Sequence, residues 1–168
     1  LDYWKPPTDY YGEPVYGGHI RINYEDPLEH ANSWGASTGA ATRLRSATMN
    51  HIVNTSPYDN TTIIPDLAES WRVLDGGITY EFKIREGVKF SNGDPVTIKD
   101  IKWSLERAAY PETGSTVAEE FLGDIVGIKD VIKGETTDAS GIKIVDDNTL
   151  QIKIDAPKAY FLAKLTYP

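Results

Sequence analysis

The stretch 65–110 constrains the fold of this chain more than any other part, because turn residues separate well-patterned apolar runs. Residues 67–74 mix large apolar and polar side chains, as a half-buried strand does. An Asp-Gly-Gly turn follows at 75–77, where glycine tolerates positive φ at no steric cost. The run 78–85 then alternates apolar and polar residues, which is typical of an antiparallel strand with one face on a core. The stretch therefore predicts a hairpin whose second strand buries Tyr80 and Phe82.

A capped helix is predicted to follow this hairpin. Thr97 with Asp100 fits the pattern in which a hydroxyl and an acid satisfy the free amides of a helix start. Apolar residues at helical spacing predict a face on the core, formed by Ile98, Ile101, Leu105 and Ala108. The predicted outward residues are Lys99, Lys102 and Glu106. Pro111 ends the helix because proline cannot continue it.

Three motifs in this stretch carry a resemblance to one family. They are Pro-Asp-Leu-Ala-Glu-Ser-Trp at 65–71, Arg-Glu-Gly-Val-Lys-Phe at 85–90 and Ser-Leu-Glu-Arg at 104–107, with an Asn-Gly turn at 92–93 between the last two. Their order and spacing resemble the peptide, nickel and oligosaccharide solute-binding proteins that feed ABC importers, the extracellular binding proteins of family 5. One departure is Ile-Lys at 98–99, where the family commonly places Ala and an acid, a difference at the surface.

The resemblance implies a mixed α/β fold, with α+β sheets and packed helices, that forms part of lobe one of a type II periplasmic-binding-protein-like fold. It extends from about residue 17 to the end of the chain, where Gly-Ile-Lys-Ile-Val-Asp-Asp at 141–147 also matches the family's pattern. Family members are much longer and close two lobes on a ligand. We therefore expect an extended N-terminal arm at 1–17 and, at 18–168, the N-terminal portion of lobe one, as a fragment of a longer protein.

The remaining elements are predicted from local patterns. The expected order is a first strand at 18–24, a polar loop at 25–35, a helix from Ser37 or Thr38 to about Val53, a loop at 54–62, a helical stripe at 117–132, strands at 142–145 and 150–154, and a short helix from Pro157. The Asp-Asp pair at 146–147 falls in the turn between the last two strands, where Asp accepts from its own backbone.

Composition excludes several classes of function. A net charge of −8 without a basic run argues against a nucleic-acid partner. The absence of cysteine excludes a disulfide framework and a thiolate metal site. No apolar run approaches the about 20 residues of a membrane span, and Leu-Asp-Tyr-Trp at 1–4 is not a signal peptide. The family is exported, so the resemblance implies a periplasmic or extracellular protein, with a lipid anchor left open.

Neither catalysis nor a metal centre is predicted. A hydrolase needs a positioned nucleophile and base or paired carboxylates, whereas His19, His30 and His51 are scattered along the chain. Loop 25–35 holds three acids beside His30, which could form an oxygen-rich metal site, but a solvated charged loop explains them better. We therefore expect no catalytic residue, metal ligand or cofactor.

The predicted ligand site lies on the loop after the first strand, where the resemblance places a ligand-facing segment. The candidate binding residues are Tyr24, Glu25, Asp26, His30 and Trp34. Trp34 is the best candidate for an exposed stacking residue, because aromatic platforms suit sugars and aromatic-lined clefts suit peptides. Trp71 and Trp103 are predicted to lie in the core instead.

The resemblance implies a solute-binding subunit of an ABC transporter and no enzymatic activity. Such a protein captures a peptide or similar small solute by hinge closure of two lobes and delivers it to the permease membrane subunits. We expect a monomer with no nucleic-acid partner. An oligosaccharide ligand and a non-transport role as a sensing or interaction module remain as alternatives.

Overall fold

The computed structural model describes residues 17–19, 21 and 39–167 of the chain. Its helices are α1 (Gly39–Thr48), α2 (Ile98–Ala109), α3 (Ala118–Leu122), α4 (Ile128–Ile132) and α5 (Phe161–Lys164), with a 3₁₀ turn at Pro111–Thr113. Its strands are β1 (Val53–Thr55), β2 (Ile63–Pro65), β3 (Ala68–Leu74), β4 (Thr79–Ile84), β5 (Ile142–Asp146) and β6 (Thr149–Lys153). The mixed α/β class expected from the sequence is confirmed. The predicted arm and first strand lie almost entirely outside the described residues.

The predicted hairpin is confirmed as the antiparallel pair β3–β4. Trp71 lies opposite Phe82 and Val73 lies opposite Tyr80. The turn residues Asp75, Gly76 and Gly77 have φ values of 51°, 66° and 98°. These left-handed values match the twist that a tight hairpin turn requires, which is why two glycines occupy the turn.

A second hairpin, β5–β6, completes a four-stranded antiparallel sheet in the order β3-β4-β6-β5. The turn between its strands is where the sequence predicted it. The main-chain N–H of Asn148 donates to Asp146 Oδ1 at 2.8 Å, so the predicted role of this acid in its own turn is confirmed. This backbone hydrogen bond lowers the pKa of Asp146.

One face of the sheet packs against the helices and forms the core. Tyr80, Phe82 and Ile84 project from β4 onto this face, and Phe82 is fully buried. The neighbouring strands and helices add Leu150, Ile152, Ile142, Ile98, Ile101, Ile128, Val131 and Phe161. Burial of one large apolar side chain contributes ~1.5–3 kcal/mol, so this face supplies most of the stabilisation of the sheet.

Helix α2 begins as predicted but buries one residue that was expected to face away. The Asp100 N–H donates to Thr97 Oγ1 at 3.4 Å and the Thr97 N–H donates to Asp100 Oδ2 at 2.7 Å, which completes the capping box. Glu106 is only 5% exposed, contrary to the prediction. Its Oε1 accepts from the Ala139 N–H at 2.8 Å and lies 3.3 Å from Lys102 Nζ, so burial is compensated by specific partners.

The two tryptophans predicted for the core behave differently. Trp71 is partly buried and packs against the core. Trp103 is 53% exposed, so its predicted core role is wrong. Its position is off the stripe set by Ile98 and Ile101, and the Arg107 guanidinium lies 5.6 Å from the centre of its ring. A large aromatic residue on a helix is therefore a weaker guide to burial than helical spacing.

Four predicted elements also differ in their bounds from the expectations. Helix α1 ends at Thr48 rather than near Val53. The predicted loop 54–62 lies between the short antiparallel strands β1 and β2, and its first two residues belong to β1. The helical stripe 117–132 is broken into α3 and α4, because Gly127 has a φ of 83° and Ile125 bridges to Ile154. The helix expected from Pro157 begins only at Phe161.

Candidate functional site

The five predicted ligand contacts lie outside the described residues. They are Tyr24, Glu25, Asp26, His30 and Trp34, and their assignment stays a prediction. The metal alternative at loop 25–35 lies there too. The described part of the chain instead contains three polar arrangements that the sequence did not predict.

The first arrangement is a buried carboxylate where β2 leads into β3. Asp66 is 6% exposed. Its Oδ1 accepts from Asn50 Nδ2 at 2.8 Å, and its Oδ2 accepts from the His51 N–H at 2.8 Å and from Asn54 Nδ2 at 3.5 Å. These four residues form what we call the Asp66 junction. Because its oxygens already accept from three donors, this carboxylate is arranged to hold chain segments together rather than to transfer protons.

The backbone explains why the junction forms here. Residues 51–52 are hydrogen-bonded to residues 67–68 at the start of β3, since the Leu67 N–H donates to His51 O and the Ala68 N–H donates to Ile52 O, both at 2.9 Å. Arg85, just after β4, donates from Nε to the main-chain carbonyl of Asp66 at 2.8 Å. Asp66 was visible only as part of the Pro-Asp-Leu-Ala motif. No local spacing could have paired it with Asn50, 16 residues earlier.

The imidazole of His51 lies beside this carboxylate. His51 Nδ1 is 3.8 Å from Asp66 Oδ2, and both side chains are more than nine-tenths buried. Burial lowers the pKa of His51 because it disfavours the imidazolium, and the negative charge of Asp66 opposes this effect only in part. In the sequence, His51 is one of three scattered histidines, and no local pattern predicts a role for it.

The second arrangement is an open groove of about 530 Å³ where β3 and β4 meet the loop after β4. Its charged lining consists of Glu69, Lys83, Arg85 and Glu86. Glu86 Oε1 accepts from Asn148 Nδ2 at 2.9 Å, which ties the loop to the β5–β6 turn. A groove with two acids and two bases can contact both ends of a zwitterion, yet its openness offers little desolvation and hence little affinity by itself.

The third arrangement fixes α5 to the end of α3. Asp124 lies 2.6 Å from Lys158 Nζ and 2.8 Å from Lys164 Nζ, and Lys158 also pairs with Asp155 at 2.8 Å. Burial acts to raise the pKa of Asp124, but the two ammonium groups outweigh it and the pKa is lowered. Hydrogen bonds to Asp124 and Asp155 raise the pKa of Lys158. The cluster is internally neutralised and suits a structural role.

Within 17–19, 21 and 39–167, no three His, Cys, Asp or Glu side chains come together so that they could hold a metal ion. Among the described helices, none is both long and apolar enough to cross a membrane.

Comparison with known proteins defines the class: the sheet with its helix layer is that of periplasmic oligopeptide-binding proteins. The chain superposes on the oligopeptide-binding protein OppAIV of Borrelia burgdorferi with a TM-score of 0.76 and 27% identity, over 82% of this chain and 28% of the other. It superposes on Listeria monocytogenes OppA bound to peptide with a TM-score of 0.73 and 30% identity, over 81% and 26%.

Residues 62–168 match the family of bacterial extracellular solute-binding proteins, family 5 Middle, and the chain belongs to this family. The oligopeptide-binding protein AmiA of Streptococcus pneumoniae is 34% identical over 161 residues, which are 92% of this chain and 23% of AmiA. The periplasmic oligopeptide-binding protein OppA of Escherichia coli is 36% identical over 107 residues, 62% of this chain and 19% of OppA.

These matches confirm the family predicted from the three motifs. They also show that the chain spans about a fifth to a quarter of the length of these relatives. The relatives are named as binding proteins rather than enzymes, and several are named as periplasmic.

Proposed function

We propose that this protein captures a peptide outside the cytoplasm and delivers it to the permease of an ABC importer. The observation that carries the proposal is the similarity to AmiA over 92% of the chain, together with the fold shared with peptide-binding proteins. Peptide-binding names recur among the relatives, which favours a peptide over an oligosaccharide as the solute.

The proposed binding element is the loop that carries Tyr24, Glu25, Asp26, His30 and Trp34. It combines three hydrogen-bonding or charged side chains with two aromatic rings. Charged groups suit the amino and carboxyl ends of a peptide, and aromatic rings suit its side chains and peptide planes. The loop follows the first strand, where the family resemblance places a ligand-facing segment, and this is the second support for the assignment.

We further propose that residues 18–168 are the N-terminal portion of lobe one of a longer two-lobe protein, preceded by an extended arm at 1–17. The support is the share of each relative's length that the chain covers. Closure of a second lobe would add ligand contacts and exclude water from the first set. A periplasmic or extracellular location follows from the family, and a lipid-anchored form is to be tested by the intact mass of the mature protein.

The experiment is calorimetric titration of the full-length gene product with di-, tri- and tetrapeptides and, separately, with linear oligosaccharides. Peptide binding without oligosaccharide binding is the expected result. Oligosaccharide binding alone would replace the proposed solute. Binding of neither, in a protein that also fails to stimulate its permease, would favour the alternative of a sensing or interaction module.

A matched pair of tryptophan variants tests the binding loop. Trp34→Ala should weaken peptide binding about tenfold or more, since a stacked aromatic contributes ~0.5–1.5 kcal/mol beyond its buried area. Trp103→Ala removes an exposed tryptophan on α2 and should leave the affinity unchanged. Equal affinity of the two variants for the peptide would show that the loop is not part of the binding site.

A further inference from the structure

His51 lies where the chain passes from α1 into the β1–β2 hairpin, and its main chain is held on both sides. Its N–H donates to Asp66 Oδ2 at 2.8 Å. Its carbonyl accepts from the Leu67 N–H at 2.9 Å, and the carbonyl of Ile52 accepts from the Ala68 N–H at the same distance. These bonds join residues 51–52 to residues 67–68 at the start of β3, and we call this contact the seam. The side chain of His51 lies at the seam, between the β1–β2 hairpin and the four-stranded sheet.

Among the described residues, the imidazole at this seam has no hydrogen-bond partner. Its side chain is 8% exposed, and neither Nδ1 nor Nε2 is bonded to a donor or acceptor in the described part of the chain. Buried polar groups are nearly always paired, so an imidazole with two unpaired nitrogens is an exception that calls for a reason. Burial without partners costs much less free energy for a neutral imidazole than for an imidazolium, because the imidazolium carries a second N–H donor and a charge.

The charged group beside the ring is already engaged, so an imidazolium at this position would lack a free hydrogen-bond acceptor within the part of the chain that the structure describes. Among the described residues, Asp66 is the charged group that faces the imidazole, at 3.8 Å, and its oxygens already accept from Asn50, Asn54 and the His51 N–H. Strand β1 contributes neutral Asn54, and β2 contributes only Ile63, Ile64 and Pro65. The Arg85 guanidinium donates from Nε to the main-chain carbonyl of Asp66.

We propose that His51 is a pH-dependent switch. While its imidazole is neutral, the seam between residues 51–52 and 67–68 stays closed, and protonation of the imidazole on mild acidification opens the seam. The pairing of β4 with β3 and β6 does not involve residues 51–52. We therefore expect the four-stranded sheet to stay closed during this opening, even though Ile52 and Val53 belong to the same apolar core.

The direction of the effect follows from linkage. In the closed seam, burial holds the pKa of His51 below its ordinary value of 6.5. In the open seam the ring is solvated and takes up a proton near 6.5. The opened form therefore binds more protons, so closure is fully stable above this pH and is lost as pH falls below it. Each pH unit below 6.5 can raise the opening constant by about tenfold, until the buried ring itself titrates.

The test is amide hydrogen exchange of the full-length protein at about pH 7.5 and about pH 5.5, corrected for the intrinsic exchange rate. The amides of Leu67 and Ala68 report on the seam, and the amide of Phe82 reports on the sheet. We expect the opening constant at Leu67 and Ala68 to rise several-fold, up to about tenfold, at the lower pH, with no change at Phe82.

Two variants distinguish a switch at His51 from a general sensitivity of the protein to acid. His51→Gln keeps a polar side chain that cannot titrate, so exchange at Leu67 and Ala68 should lose its pH dependence. His19→Gln removes an exposed histidine elsewhere and should retain the response. A pH response that survives in His51→Gln, or that extends equally to Phe82, would overturn the proposal. If His51→Gln does not fold, the NMR titration of the His51 ring decides, since a midpoint at or above 6.5 also overturns it.

Discussion

The hairpins β3–β4 and β1–β2 adjoin in sequence but are stabilised by different means. The strands of β3–β4 span seven and six residues, and β4 buries Tyr80, Phe82 and Ile84 under the helices. The strands of β1–β2 span three residues each. At their turn, Asp59 Oδ1 accepts from the N–H groups of Thr61 and Thr62, each at 2.9 Å. The β3–β4 hairpin is held mainly by apolar burial. The β1–β2 hairpin shares the same core through Val53 and Ile63, and polar side chains that bond to the backbone add to its stabilisation.

This difference has a consequence for cooperativity. Apolar burial couples a strand to every element that shares the core, so β3–β4 should unfold only with the whole sheet. Side-chain hydrogen bonds are local, and each contributes only ~0.5–1.5 kcal/mol net, or ~1.5–3 when one partner is charged. The β1–β2 hairpin shares the core only through Val53 and Ile63. It should therefore open at lower free energy than β3–β4, and the Asp66 junction should control that opening.

The largest effect is expected from Phe82→Ala. Phe82 is fully buried at the centre of β4, opposite Trp71. Truncation of a buried phenylalanine costs ~3–5 kcal/mol of the free energy of unfolding, through lost burial and the cavity that remains. Denaturant unfolding measures this loss. Val73→Ala is the control, because Val73 is on edge strand β3 and 51% exposed, and it should cost less than about 1 kcal/mol. Similar losses from both variants would contradict the assignment of the core face.

The next effect is expected from Asp66→Ala. Removal of the carboxylate leaves the Asn50 amide and the His51 N–H without their acceptor. We expect a loss of about 2–3 kcal/mol in the stability of β1–β2, since hydrogen bonds to a charged acceptor are the stronger kind. Exchange at the amides of Leu67 and Ala68 should accelerate while the β4 amides remain protected. Asp66→Asn keeps one acceptor oxygen and should recover part of the loss. Uniform acceleration across the sheet would show that the two hairpins are a single cooperative unit.

The sequence predicted the parts of the fold that apolar periodicity specifies. Alternation in 78–85 was sufficient to predict β4, and helical spacing in 97–109 was sufficient to predict α2. The Asp-Asp-Asn turn was sufficient to predict that β5 and β6 form a hairpin. Strands β1 and β2 were missed because three residues are too few to show alternation. The break between α3 and α4 was missed because the apolar residues continue at helical spacing through Ile125, which pairs with Ile154 instead. Such a pairing depends on contacts distant in sequence.

The predicted family was confirmed because three motifs keep their order over 43 positions, from 65 to 107, which is far more specific than any single motif. The Asp66 junction was not predictable, since Asn50, His51 and Asp66 meet only after β2 has returned along β1. Burial of Glu106 was missed for a related reason. Its partner is the main-chain N–H of Ala139, and no feature of the sequence marks a backbone group as an available donor.

A smaller effect is expected from Gly77→Ala at the turn of β3–β4. Gly77 has a φ of 98°, and a Cβ added there would lie 3.4 Å from the Cβ of Pro157. A left-handed conformation costs a residue with a Cβ ~1–2 kcal/mol. Because this turn belongs to the cooperative hairpin, the loss should appear in denaturant unfolding of the whole sheet. Gly76→Ala is the control, with a φ of 66° and open space around its Cβ, and should cost less. A larger loss for Gly76→Ala would contradict the prediction, because both the larger φ and the contact with Pro157 place the greater cost at Gly77.

The smallest effect on global stability is expected at Asp59, which tests whether the polar turn of β1–β2 forms as described. Hydrogen bonds from the Thr62 hydroxyl and from the N–H groups of Thr62 and Thr61 lower the pKa of Asp59 from 3.8 to about 2. A lowered carboxyl pKa means that the contribution of this turn is fully present above pH 3.8 and is lost as pH falls through about 2. NMR titration of the Asp59 carboxyl carbon should give a midpoint near 2, and Thr62→Val should raise it by removing the hydroxyl donor. A midpoint near 3.8 in the wild-type protein would mean that the turn is open in solution, and the contrast between the two hairpins would then be greater than the structure indicates.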